Sequence, residues 1–269
     1  MKVSIRGITN KIISMKTLII KSLLTSLYQR EEIYPSLVKR GVGRFSNNDA
    51  LLMYALLCIV FMAGCSSIPF QKTPYVPLES VDPLTAVEQF KKHSPGDFQL
   101  LNTIIFQYNW IKFSGIGYIH VNTTERTYTV VCINHMGVKL FEISGNNNGV
   151  ISSFALEEFK KKGDFAAVVG EDIKRIFFDL IPSPEAKQTK EKFQIIFQQP
   201  SGAGVLEYVF AGPAVNLIAK SYYEDNALIW TVSYYEYQQN DGKYYPQGII
   251  LKHHIYGYSL TVKLKEIQN

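Results

Sequence analysis

Cysteine is scarce in this chain, with Cys58, Cys65 and Cys132 the only three in 269 residues. The first two sit in or directly after one apolar stretch, which leaves Cys132 alone in the rest. A single thiol closes no internal disulfide, and no cysteine or histidine spacing matches a metal-ligand set. An apolar run long enough to span a bilayer is also missing. Residues 50–64 make a run of 15, where a spanning helix needs roughly 20. Neither Gly-x-Ser-x-Gly nor His-Glu-x-x-His occurs, so the common hydrolase and metalloprotease signatures are absent. Basic charge is lacking where a nucleic-acid reader would need it. The formal charge of +5 is confined to the first 64 residues. There nine Lys/Arg face only Glu31, Glu32 and Asp49, while the remainder carries 19 Lys/Arg and 20 Asp/Glu. A partner of nucleic acid is therefore not expected. Lys160-Lys161-Lys162, the one basic run left, reads as a solvated turn.

What is present begins with the end of the apolar stretch, Met62-Ala63-Gly64-Cys65. Its length and its small residues at a cleavage point fit a signal-peptide apolar region. The four residues resemble a bacterial lipobox, with Met62 where Leu is usual. That resemblance implies lipidation of Cys65 with diacylglycerol, an anchor in the membrane, and a working protein that starts there. Ser66 implies sorting to the outer membrane, on the periplasmic side. A 64-residue leader exceeds the usual length of about 15–30. The expected start is therefore further along, at Val38, with Lys39, Arg40 and Arg44 as the positive segment.

After the cut, about 205 residues suffice for one domain with a real core. Residues 65–82 hold Pro69, Pro74 and Pro77 without periodicity, as an extended tether would. Asp82-Pro83 reads as an N-cap followed by a proline in the first turn. It opens a helix to about His93 with Leu84, Val87 and Phe90 on one side. Pro95-Gly96 ends it. Strand patterns fill most of the chain beyond this helix: 98–108, 111–122, 126–134, 138–144 and 149–155, then 193–198, 205–210, 214–223, 228–237, 247–254 and 258–267. Gly/Asn/Asp clusters at 145–149, 202–204, 224–226 and 240–242 separate them as hairpin turns would. Leu260, Val262 and Leu264 oppose Thr261, Lys263 and Lys265, which gives one buried and one wet face. Between the two sets of strands, 164–180 has helical spacing, with Ile173, Ile176, Phe177 and Leu180 as its stripe. Gly170 is expected to weaken or kink it, and Glu171 and Asp172 to begin a second part. The fold class predicted is mainly β with an α lid. A single curved antiparallel sheet of about eleven strands, a half-barrel, is closed by short helices.

This order of elements resembles the LolA/LolB-type lipoprotein-carrier fold over residues 83–269. The local matches are Phe113-Ser-Gly-Ile-Gly-Tyr-Ile119, Gly137-Val-Lys-Leu-Phe-Glu-Ile143, Tyr245-Pro-Gln-Gly-Ile-Ile-Leu251 and Gly257-Tyr-Ser-Leu-Thr-Val-Lys-Leu264. They look most like the LolB-like lipoproteins encoded in some aryl-polyene gene clusters. The resemblance implies an apolar cavity between sheet and lid that takes a lipid or other acylated molecule, with no cofactor and no catalysis. The cavity residues it implies are Ile173, Phe177 and Leu180 on the lid with Phe193, Ile195, Phe197, Leu260 and Val262 on the sheet. The chain departs from LolB at the connection of the third and fourth strands. There a protruding apolar loop is replaced by the short turn Asn134-His135-Met136-Gly137.

Other residues bear weighing. His253 and His254 are adjacent in a strand, so their rings point to opposite faces and cannot share a metal. His120 and His135 have no sequence-adjacent partner. The tyrosine clusters 222–223, 234–237 and 244–245 either line an aromatic or sugar site or serve as strand formers and cross-strand packers. Phe193, Ile195 and Phe197 are either cavity lining or plain core. The expected function is that of a membrane-anchored lipoprotein that binds or transfers a lipid. The alternative is a non-enzymatic module of the same fold with an envelope protein as partner.

Overall fold

The computed structural model describes residues 68–160 and 164–268. The leader, its start, Cys58, Cys65 and Ser66 lie outside them. Chain order gives α1 (Pro83–His93), then β1 (Asp97–Tyr108), β2 (Ile111–Asn122), β3 (Thr127–Ile133), β4 (Lys139–Gly145) and β5 (Val150–Ala155). Helices α2 (Glu157–Lys160) and α3 (Phe165–Phe177) come next, then β6 (Lys187–Lys190), β7 (Gln194–Ser201), β8 (Gly204–Ala211), β9 (Asn216–Glu224), β10 (Ala227–Asn240), β11 (Lys243–His253) and β12 (Tyr258–Gln268).

All twelve strands join one curved, open antiparallel sheet in the order β5-β4-β3-β2-β1-β12-β11-β10-β9-β8-β7-β6. The chain starts at the centre, works out to one edge, crosses by α2 and α3, and returns hairpin by hairpin to pair β12 with β1. Two of the expected turns show why those residues are there. Asp225-Asn226 and Asp241-Gly242 are both left-handed at both positions, the two-residue turn whose twist matches that of the strands it joins.

One strand was invisible to periodicity. β6 is Lys-Gln-Thr-Lys, exposed at every position, so it has no apolar face to alternate. It pairs with β7 from Lys187↔Gln198 to Lys190↔Ile195, and its lysines guard an open sheet edge.

Helix α1 begins as its sequence implies: the Asp82 carboxylate accepts from the Thr85 N–H at 2.8 Å. Its buried side is Ala86, Val87 and Phe90, whereas Leu84 is 53% exposed. The stripe is thus one position further round than expected. Phe90 meets Phe210 and Tyr237 edge-on, and Phe210 meets Phe197. Below α1 the sheet is therefore solid, with Ile195, Phe197, Tyr208, Phe210 and Val232 each at 2% exposure or less. Burying each such side chain is worth about 1.5–3 kcal/mol.

The Pro-bearing segment ahead of α1 is extended but docked. Phe70 stacks on Tyr235 at 5.4 Å, Leu78 is 2% exposed, and the Leu78 N–H donates to Lys192 O.

Helix α3 runs unbroken through Gly170, which corrects the expected kink. A Cβ at Gly170 would stand 2.2 Å from the Tyr128 hydroxyl and 2.6 Å from Val150 Cγ2. The glycine lets the helix lie close on β3 and β5. The stripe also ends sooner than expected. Phe178 caps α3 in an extended conformation, and Leu180 lies beyond it.

Candidate ligand cavity

Under α3 the sheet is not solid. A cavity of about 140 Å³ separates the helix from strands β1, β2, β3, β4 and β12. Its floor follows the two-residue strand period: Asn102, Ile104 and Phe106 on β1, Val130 and Cys132 on β3, Leu260 and Val262 on β12. Its roof is α3 from Phe165 to Phe177, with Phe159 of α2 at one side. Phe141, Phe159 and Phe165 close that side as a ring trio with centroids 4.9–5.8 Å apart.

Of the residues singled out from sequence, Ile173, Phe177, Leu260 and Val262 meet around this cavity. Leu180 does not; it borders a smaller hollow at the other end of α3, beside Phe90, Phe98 and Tyr237. Ile195 and Phe197 lie in the packed half of the sheet. Phe193 precedes β7 and meets Tyr75 of the docked segment at 5.9 Å. Periodicity marked these three as inward-facing or strand-forming but does not say which helix covers them. Sequence reasoning missed Asn102, Phe106, Phe113, Cys132, Phe141, Phe159 and Phe165. The alternation of β1 was the signal available for Phe106.

Polar groups enter the roof in one place. Asp172, expected near a helix start, is instead buried in mid-helix. It accepts from Arg175 at 2.6 Å and, on both oxygens, from the Tyr258 hydroxyl at 2.8 Å. Burial raises its carboxyl above the ordinary range, and Arg175 and Tyr258 pull the other way. Burial likewise pushes the Cys132 thiol up to about 12, which leaves it a neutral, inert part of the wall.

The two ends of α3 are held differently. At its C-terminal end Tyr234 donates to Ile176 O at 2.8 Å and Lys220 Nζ donates to Phe178 O at 2.6 Å. Arg126 grips Asp179 through two nitrogens at 2.7 and 3.1 Å. Two of these bonds occupy carbonyls at or just past the helix end, Ile176 O being one that α3 leaves unpaired. The N-terminal half has its Asp164 cap and apolar contacts over the cavity. Among the described residues, the side-chain bonds that tie the roof to the sheet thus lie at Asp172 and at the C-terminal end, and the first turns of α3 pack over the cavity.

No family model matches this chain, and no curated protein matches it. Solved structures do. One is a domain described as an outer membrane lipoprotein-sorting protein from Vibrio parahaemolyticus. It is 13% identical, covers 69% of this chain and 91% of its own, and has a TM-score of 0.44. A LolA superfamily protein from Nitrosomonas europaea is 10% identical over 70% of this chain and 94% of its own, with a TM-score of 0.46. A DUF1329 family protein from Desulfovibrio piger is 10% identical over 68% and 89%, with a TM-score of 0.41.

The histidines make no comparable site. His120 is bonded to Asp97 at 2.7 Å on the open surface. His253 is buried and His254 exposed, on opposite faces of the strand. Among the described residues no group of three or more His, Cys, Asp and Glu is placed to hold a metal. The buried Tyr234 and the partly buried Tyr237 donate to backbone carbonyls, Ile176 O and Leu217 O. No described helix is long and apolar enough to cross a membrane.

Proposed function

We propose that this chain is an envelope lipoprotein, anchored through a lipidated Cys65 at the outer membrane. Its cavity takes the apolar part of a lipid or other acyl-bearing molecule, in the manner of a LolA-like carrier. The observation that carries the reading is an almost wholly apolar cavity beneath a helix whose described side-chain bonds to the sheet lie at Asp172 and at its C-terminal end. Such a site binds by removing apolar surface from water, at about 25 cal/mol per Å². Its size decides how. A cavity of roughly 150 Å³ holds a molecule the size of benzene, and this one is about 140 Å³. It therefore admits a chain end or a ring as it stands. A whole acyl chain requires the N-terminal half of α3 to lift.

Native mass spectrometry of the protein, gently extracted from its own membrane, tests this. The expected result is a co-purified lipid that is lost in Val262→Phe, where the added ring fills the floor. A protein that carries no lipid and retains a protein partner supports the second reading, a binding module. That reading has one feature in its favour: β5 is an open sheet edge with Ile151 72% and Phe154 39% exposed.

A further inference from the structure

Asn102 is the anomaly of the cavity. It is 3% exposed and forms part of a floor that is otherwise apolar. Its side-chain amide makes no hydrogen bond with any described residue, while the other buried polar group of the cavity, Asp172, is committed to Arg175 and Tyr258. It stands where the pairing of β1 with β12 slips, between Leu101↔Glu266 and Asn102↔Leu264. Such an irregularity re-aims the side chain next to it. Leucine has nearly the same shape and would fill this position without leaving a donor and an acceptor unmet. The amide gains only if something in the cavity offers it a partner.

We infer that Asn102 selects ligands whose apolar body carries one neutral hydrogen-bonding group, a hydroxyl or an ester or amide carbonyl, buried at the cavity floor. The inference rests on the carrier reading and names the kind of cargo it implies. The group is neutral because a charge of either sign would lose its water in an apolar cavity where Asp172 is already committed to Arg175 and Tyr258. An amide serves either kind of partner, since it both donates and accepts.

Toluene and benzyl alcohol are a matched pair of the right size, one with and one without the hydroxyl. Their dissociation constants are measured by calorimetry on the full chain and on Asn102→Leu. A net hydrogen bond is worth a factor of about 2–10. The preference for benzyl alcohol relative to toluene should fall by that factor in Asn102→Leu, with toluene bound at least as tightly as before. Asn102→Ala, which adds no side chain, should shift the ratio in the same direction. Both variants should melt as cooperatively as the parent. An unchanged ratio in both variants overturns the inference alone, because the amide is then satisfied by a buried water or by the protein. If neither compound binds the parent chain, the carrier reading fails and the inference with it.

Discussion

Lys220 shows what a single buried charge does in this protein. It is 2% exposed, at the foot of α3, with its ammonium on Phe178 O and 5.9 Å from the Trp230 ring. Burial lowers its pKa to about 7, with Asp179 pulling the other way. In the unfolded chain the group titrates near 10.5. Between those values the unfolded state binds more protons, so this residue makes stability rise with pH from about 7 to about 10.5. Below about 7 both states are protonated, and the penalty stays constant at no more than about 5 kcal/mol. Lys220→Met removes that penalty and leaves Phe178 O unpaired, at a cost of about 1–3 kcal/mol. Denaturant titrations from pH 6 to 10 should therefore show the variant gaining on the parent as the pH falls. A stability difference that does not change with pH would show that the buried ammonium is paired as well in the fold as in water.

At the scale of elements, the contact that seats α3 is one tyrosine between two glycines. The side chain of Tyr128 leaves no space for a Cβ at Gly145, which would meet its ring and hydroxyl, or at Gly170, which would meet its hydroxyl. Its hydroxyl is buried without a hydrogen-bond partner among the described residues. Gly170→Ala should cost about 1–3 kcal/mol by overpacking, outweighing the helix propensity that alanine gains. Tyr128→Phe should keep or raise stability by about 1 kcal/mol and recover part of the Gly170→Ala loss, because it removes the clashing oxygen. Thermal melts of the two single variants and the double variant read this directly; strict additivity would place the alanine's cost elsewhere. The same pair explains what the sequence made legible and what it hid. Strands with a buried face were readable because alternation is a local signal, and eleven of the twelve were placed. β6 was not, since an edge strand of lysines has no face to bury. The kink expected at Gly170 came from a local propensity, whereas the reason for glycine is a ring 42 residues earlier in the chain.

Across the whole molecule, Ile195 and Phe197 carry the same inward alternation as Ile104 and Phe106. Which pair bounds a void depends on which helix lies above, and that is set by a topology no local pattern contains. The same topology gives the cavity an end. In an antiparallel sheet alternate turns share one edge, so the β1–β2, β3–β4 and β11–β12 connections lie together, neighbours in the order of strands. Trp110 is fully exposed on the first, Met136 84% exposed on the second and Ile255 48% exposed on the third. The cavity residues Phe106, Phe113 and Leu260 lie close to this end of their strands, as does the start of α3, where Phe165 packs on Phe141 of β4. If the cavity exchanges lipid with a membrane, these tips are the shortest path, and a tryptophan suits the boundary of water and lipid. The short turn at Met136 thus leaves the most exposed apolar side chain to Trp110, two strands away. Trp110→Ser should weaken sedimentation with phosphatidylethanolamine–phosphatidylglycerol vesicles about tenfold, equal to about 1.4 kcal/mol and within the value of burying part of one large side chain. The measurement uses residues 66–269, so that an acyl anchor does not mask the effect. The melting temperature should not move, because a fully exposed indole contributes nothing to the core. Equal binding by both proteins would mean that the membrane meets some other surface and that lipid reaches the cavity by another route.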